Sequence, residues 1–487
     1  MMLAPLQIPA PHGESCETHD PRGALAPDSA RGALYREYAG KFEVNPSLNR
    51  QVVSFQANKE RPFYRWIKYK EAFSSDLVAY LLAAVRRNDD SEFLVLDPFA
   101  GAGTTLTTAA QMGYKATGIE ILPIGVGAIQ ARIRGHKANE RLFERRLNRL
   151  RALPLDSLGS GSYRFPHLKI TRGAFPEETE RAMSAYMDFV ESIKDEDVKY
   201  LFWFACLSIL EETSYTRKDG QYLRWDARSG RVLKSRFNKG EIHDFRPSIM
   251  RKLEMMLTDI RRRNSHSLED RIELVEGSCL RELPKISSDS FDCVITSPPY
   301  ANRYDYTRTY ALEIAFMGLD ETSIKTLRQA LLSCTVENKS KRDQLSHEYA
   351  VSGRRQFYQK AAKAFDNQKA AHEVLEILRE ARNEGLLNNS NIPTLLDNYL
   401  FEMNLVVWEL ARVLKPGGTV FMVNDNVRYH GEEVPVDLIL SDLAVTAGLH
   451  VERIWLLPRG KGNSSQQMGK HGRTEIRKCI YWWSKPA

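Results

Sequence analysis

The chain has 487 residues, 69 basic and 62 acidic side chains, a formal net charge of +7 and an isoelectric point near 8.9. That length allows two or three domains or one enlarged α/β domain, and the mild basicity is compatible with a polyanionic partner without requiring one. Six cysteines without Cys-x-x-Cys spacing argue for reduced thiols in a cytosolic setting and against a zinc site, and no uncharged run approaches a membrane span, the strongly apolar Tyr200 to Leu210 being the longest contender.

Residues 1–36 are rich in Pro, Ala, Gly and charge and read as a disordered tail, without the basic start of a secretion signal. Order is expected to begin near Asn49 to Phe55. The apolar run Phe93-Leu94-Val95-Leu96 suits a buried parallel strand, and Leu106 to Met112 suits a helix. Between them lies Asp97-Pro98-Phe99-Ala100-Gly101-Ala102-Gly103-Thr104-Thr105, a Gly-rich turn opening onto a helix N-terminus whose unpaired N–H groups can face a ligand. Leu106 stands where a dinucleotide fingerprint wants a third small residue, and no Gly-Lys-Ser/Thr follows, so nicotinamide and P-loop sites are disfavoured. Alone, such a turn is as easily a simple tight turn. A second strand, Lys115 to Ile121, carries Glu120 near its end, well placed for ribose hydroxyls.

Gly135 to Asn148 reads as a charged helix with Arg141, Arg145 and Arg146, followed by a linker from Pro154 to Ser162. A helical insert is expected from Glu177 to Glu212, with Tyr200, Phe202, Trp203 and Phe204 in its core. Thr213 to Asp226 reads as a hairpin around Asp219-Gly220, and Arg217, Lys218, Tyr222, Arg224 and Trp225 interleave charge with aromatic rings as phosphate contact and base stacking require. An ordinary solvated hairpin has the same pattern.

Phe291 to Thr296 is another buried-strand run, and it empties into Ser297-Pro298-Pro299-Tyr300. Two prolines stiffen this loop and remove two backbone donors. Ser297 Oγ and the Pro298 carbonyl can accept both hydrogens of a planar amine, with Tyr300 stacking on its ring; a loop terminator with a packed tyrosine is the plainer alternative. Arg303 to Tyr310 adds basic and aromatic character before an apolar helix, Leu312 to Met317. Glu321 to Asn389 reads as a charged helical insert. Helix Tyr399 to Leu414 stops at Lys415-Pro416-Gly417-Gly418, and strands are expected at Thr419 to Val423, His450 to Leu457 and Ile476 to Trp483, with helix Val436 to Ala447 after the first. Gly460 to Ser465 and Lys470 to Arg473 make a basic loop, read as solvated.

With both motifs in view, the chain resembles the S-adenosylmethionine-dependent DNA amino-methyltransferases, and its Ser-Pro-Pro-Tyr is more similar to the cytosine-N4 branch than to the Asp-Pro-Pro-Tyr of adenine-N6 enzymes. The resemblance implies an α/β fold, a Rossmann-like sheet of about seven strands with helical and hairpin inserts. The core would span 37–130, 271–320 and 396–487, with a candidate target-recognition insert at 131–270 and a helical insert at 321–395. It implies S-adenosyl-L-methionine bound by Asp97, Phe99, Gly101, Gly103, Thr104 and Glu120, with Phe73 and Ser74 near the methionine end. Ser278 and Cys279 stand where the family carries an acid facing the adenine amino group, a departure that puts that contact in doubt. Catalysis would rest on Ser297, Pro298, Pro299 and Tyr300 acting on a flipped base, with substrate contacts near Arg303 and Tyr304. No Pro-Cys dipeptide is present for carbon-5 chemistry. The implied partners are duplex DNA and a cognate restriction endonuclease, in a prokaryotic cytosol. Adenine-N6 methylation, methylation of an RNA guanine amine and a silent DNA-binding protein stay open at this point. No recognition domain follows the last expected strand, so the inserts would have to read the DNA.

Overall fold

The computed structural model describes residues 29–49, 51–85, 92–153, 161–219, 222–232, 236–263, 268–457 and 476–487. Its strands are β1 (Phe42–Val44), β2 (Leu94–Asp97), β3 (Lys115–Glu120), β4 (Thr216–Asp219), β5 (Tyr222–Trp225), β6 (Ile272–Glu276), β7 (Phe291–Thr296), β8 (Leu414–Asp425), β9 (Val427–Tyr429), β10 (Glu432–Val434), β11 (His450–Leu456) and β12 (Lys478–Ser484). Eight of them form one sheet in the order β1-β11-β12-β8-β7-β2-β3-β6, parallel except for β12, which runs antiparallel to both neighbours. Two small hairpins, β4-β5 and β9-β10, stand apart. This is the Rossmann-like methyltransferase sheet, with one strand more than the seven expected.

Helices cover both faces, so the inner strands are apolar on both sides. Alternation along β7 and β8 sends Val294, Val420 and Met422 into one core, while Cys293, Ile295, Phe421 and Val423 enter the other. The long helix Ile392–Val413 lies in the first core and is buried along most of its length. Its polar side chains tie down the helices before it: Glu402 accepts from Lys341 Nζ at 2.9 Å, and Glu409 from the Tyr349 hydroxyl at 2.8 Å. Four helices, Glu321–Ala330, Arg342–Val351, Arg355–Asp366 and Lys369–Asn383, occupy the region expected to be a helical insert.

Residues between β3 and β6 build a third core around Phe143, Phe202, Phe204 and Ile249, joined by Phe63, Trp66 and the helix Ala311–Phe316. A fully buried carboxylate, Asp259, fastens this unit to the chain before β2. It accepts from the Phe63 N–H at 3.0 Å and from Trp66 Nε1 at 2.8 Å, and pairs with Arg65. Four donors on one carboxylate fix the path of this segment.

Two expectations need correction. The tail does not run to residue 36: Ser29 caps a helix, Ala30–Tyr38, and β1 follows it onto the sheet edge beside β11. Arg31 looks solvated in the sequence but is 4% exposed, paired with Glu373 at 2.7 Å and Glu432 at 2.9 Å. Half-buried acids from distant segments hold it, which composition cannot reveal. The expected single helix from Gly135 is two, Pro123–Lys137 and Glu140–Arg151, because Asn139 caps a new start. Most of the expected linker, the tip at Gly220 and the basic loops between β11 and β12 lie outside the described residues. Among the described residues no helix is long and apolar enough to cross a membrane.

Candidate active site at the sheet switch point

From β2 the sheet order runs one way to β3 and β6 and, from β7, the other way to β8. Beyond the carboxyl ends of β2 and β7, where the two directions diverge, open α/β sheets bind their ligands. A cavity of about 390 Å³ opens there, lined by the turn after β2, the end of β3, the Ser278-Cys279 turn and the loop after β7. That volume falls in the range of roughly 300–1000 Å³ typical of small-molecule sites.

The turn after β2 makes the floor. Gly101 and Gly103 both adopt positive φ, at 53° and 74°. At Gly103 an added Cβ would also fall 2.5 Å from Ile129 Cγ1, so the turn admits no side chain there. Gly103 itself faces Ile129 rather than the cavity, so its part is to shape the turn. Leu106, the residue that set this turn apart from a dinucleotide fingerprint, packs on Gly118 of β3, where a Cβ would sit 2.5 Å from Leu106 Cδ1. The small residue that lets helix approach strand is on the strand. Helix Thr104–Gln111 begins without a side-chain cap, and the buried Thr104 hydroxyl on the cavity wall has no hydrogen-bond partner among the described residues. A ligand carboxylate answers both deficits.

Two carboxylates organise this floor. Glu120, 6% exposed, accepts from the backbone N–H of Gly101 and, at 2.6 Å, from that of Leu122. Burial pushes its carboxyl up to about 7 against the pull of those two bonds. Asp97 accepts from the Phe99 N–H at 3.1 Å, Thr105 Oγ1 at 2.7 Å and Thr296 Oγ1 at 2.7 Å. These bonds hold the two loops together at the cavity, which Asp97 also lines.

The opposite wall is the loop after β7. Ser297, Pro298, Pro299 and Tyr300 all line the cavity, and Ser297 Oγ donates to the Tyr300 hydroxyl at 3.3 Å. Burial drives the Tyr300 hydroxyl well above the ordinary phenol range, so it stays protonated. Tyr304 and Tyr306 continue the wall, their rings edge to face with centroids 4.8 Å apart.

A profile of the N6/N4 DNA methylase family matches residues 47–124, which span the segment before β2, the Gly-rich turn and β3. The Type II methyltransferase M.AvaI of Nostoc sp. and that of Anabaena variabilis are each 46% identical over 464 residues, covering 93% of this chain and 93% of theirs. The Type II methyltransferase M.BsoBI of Geobacillus stearothermophilus is 40% identical over 488 residues, covering 97% of this chain and 94% of its own. The chain belongs to the N6/N4 DNA methyltransferases.

This methyltransferase therefore takes S-adenosylmethionine as its methyl donor, and the cavity residues fit that molecule. The uncapped helix start and Thr104 can receive its carboxylate, Glu120 its ribose hydroxyls, and the apolar Ile121 and Leu122 its purine. Of the other residues expected near the donor, Phe73, Phe99, Ser278 and Cys279 line the cavity. The Ser278 hydroxyl is committed to the Ala330 carbonyl at 2.9 Å, and burial pushes the Cys279 thiol well up. Ser74 is a correction: it is fully buried, donates to the Val52 carbonyl and accepts from the Leu77 N–H at 3.1 Å, which makes it a local anchor for helix Ser75–Val85.

The β4-β5 hairpin also divides. Strand alternation turns Arg217, Tyr222 and Arg224 outward and Lys218, Leu223 and Trp225 inward. Lys218 cannot meet DNA as a surface cation: it is 3% exposed, ion-paired with Glu313, 3.8 Å from Glu211, and 4.6 Å above the Tyr310 ring. Trp225 is 8% exposed and covered by Arg231 at 3.6 Å. Tyr304 belongs to the cavity wall, while Arg303 points away to Asn388 at 3.3 Å. Several cavity residues escaped sequence reasoning, among them Tyr69, Glu71, Tyr306, Asp425 and Lys478. Asp425 and Lys478 arrive from strands that carry no motif, whereas Tyr69, Glu71 and Tyr306 lie within a few residues of Phe73 and Tyr304.

A ribose contact at Glu120 would make donor binding pH-dependent. Its folded value near 7 lies above the ordinary 4.5, so the free protein holds this proton between the two and loses stability as pH rises across them. Hydroxyl donors favour the ionised carboxylate. Affinity for S-adenosylhomocysteine, measured by titration calorimetry, should rise as pH increases through about 7 and lose that dependence in Glu120→Gln. A flat wild-type profile would contradict the assignment of Glu120 as a ribose contact.

Proposed function

We propose that this DNA methyltransferase acts on the exocyclic N4 amine of cytosine in duplex DNA, as the modification partner of a restriction endonuclease in a prokaryotic cytosol. The observation that carries the reading is Ser297 on the cavity wall with its hydrogen directed to Tyr300, which leaves its lone pairs free to accept. The Ser-Pro-Pro-Tyr form resembles the cytosine-N4 branch, and the Type II designation of both relatives supports a cognate nuclease.

The chemistry is dictated by the amine. Its lone pair is delocalised into the ring, so it is a poor nucleophile until its hydrogens are held out of plane. Ser297 Oγ and the Pro298 carbonyl accept those two hydrogens, and the stiff Pro298-Pro299 backbone costs little entropy to hold them there. The donor supplies a methyl group already activated on a sulfonium sulfur. The N–C bond forms as the S–C bond breaks, and one amine hydrogen leaves as a proton. Tyr300, Tyr304 and Tyr306 give the unstacked base an aromatic wall, which offsets part of the cost of flipping it from the duplex.

The hairpin is the proposed DNA contact. Arg217 lies directly opposite Arg224 across β4 and β5, with Tyr222, 53% exposed, on the same face. Like charges opposed across strands are unfavourable unless an anion lies against them; Asp219 lies 3.0 Å from Arg224, and a DNA phosphate is the anion proposed to join them.

Two experiments test this reading. Transfer of labelled methyl groups to duplex DNA followed by nucleoside mass spectrometry should yield N4-methylcytosine, and Ser297→Ala should slow transfer by roughly 10²–10³-fold with S-adenosylhomocysteine binding kept. N6-methyladenine as the product would overturn the cytosine assignment. Replacing Arg217 and Arg224 by Ala should lower the slope of log affinity against log salt by about 2, one for each lost phosphate contact. An unchanged slope would remove the hairpin from the DNA interface.

A further inference from the structure

Three neighbouring strands bring distant residues to one rim of the cavity. Thr296, which precedes Ser297, pairs with Met422 on β8, and β8 continues to Asp425, whose partner across the antiparallel pairing is Lys478, the first residue of β12. Asp425 and Lys478 both line the cavity that holds Ser297 and Tyr300. Lys478 Nζ lies 3.1 Å from Asp425 Oδ2, with the carboxylate side chain 9% exposed and the lysine 44%. An ammonium carries three hydrogens, and this contact uses one of them. The fixed acid leaves the cation held at the wall, with two donors unengaged among the described residues.

Ser297 and Pro298 grip an amine, and cytosine and adenine both have one. The bases differ in the neighbouring atoms of the same edge. In cytosine the amine carbon is flanked by N3 and then O2, two acceptors side by side; in adenine N1 is succeeded by a C–H. A cation with two free donors satisfies the first pattern fully and leaves the second with one donor against carbon, in a site where an unmatched polar group is costly.

Building on the cytosine reading, we propose that Lys478, held by Asp425, is a specificity-determining residue that donates to N3 and O2 of the flipped cytosine. The aspartate orients the lysine, and the lysine reads the edge that the amine grip cannot.

The test uses the full chain and a duplex carrying the site mapped by sequencing the methylated product. With the target cytosine replaced by 3-deazacytosine, wild-type kcat/KM should fall by roughly 10–100-fold. Lys478→Met should lose a similar factor on cytosine, show almost no further loss on the analogue, and bind S-adenosylhomocysteine as the wild type does; Lys478→Arg should recover most of the activity. If the analogue penalty persists in full in Lys478→Met, or if that variant keeps wild-type kcat/KM on cytosine, Lys478 does not read the base and the pair only closes the end of the sheet. If wild-type product is N6-methyladenine, the cytosine reading fails first and takes the inference with it, an outcome that nucleoside analysis detects independently of any Lys478 variant.

Discussion

One buried carboxylate ties together the two turns that face each other across the cavity. Asp97, 1% exposed at the end of β2, receives the N–H of its own turn, a hydroxyl from the first turn of the following helix and a hydroxyl from Thr296, the last residue of β7. Burial pushes it up to about 6, and these three bonds oppose that rise. Through it the Gly-rich turn and the loop proposed to grip the amine are parts of one hydrogen-bonded unit. Methyl transfer needs donor carbon and acceptor nitrogen aligned within a fraction of an ångström, and a misplacement of about 1 Å can cost 100-fold. A buried polar link has a single well-defined geometry because any other leaves its groups unpaired.

The same logic extends outward. Lys218 of the hairpin is buried against Glu313 of helix Ala311–Phe316, and Tyr310 at the start of that helix donates to Glu71 on the cavity wall. Burial pulls the Lys218 ammonium down, but Glu313 and Glu211 outweigh it and raise it overall. The proposed DNA-contacting hairpin is therefore fastened, through charged and aromatic groups, to the segment that comes after the catalytic loop. Removing one member of such a buried pair leaves an uncompensated charge. Placement of the outward arginines and placement of the cavity wall thus depend on shared contacts.

The parts legible in the sequence were those encoded locally. The strands showed as apolar runs because helices cover both faces of the sheet, and the reactive turns showed because glycine, proline and hydroxyl residues occur there at fixed spacing. Lys218 was misread because the alternation that marks the hairpin does not say which face is inward; that was decided by Glu313, nearly a hundred residues on. The ordered end of the expected tail was missed for a similar reason, since the acid partners of Arg31 lie in two later segments. Asp425 and Lys478 meet only because β12 inserts antiparallel beside β8, a pairing that no local pattern announces.

The claim that Asp97 couples donor site to catalytic loop is open to a direct measurement, a double-mutant cycle of Asp97→Asn and Thr296→Val read by single-turnover methyl transfer. The account predicts that the two losses are far from additive, with a coupling of about 0.5–3 kcal/mol, since each change breaks the same link. Additive losses would mean that the two loops are positioned independently, and would contradict it.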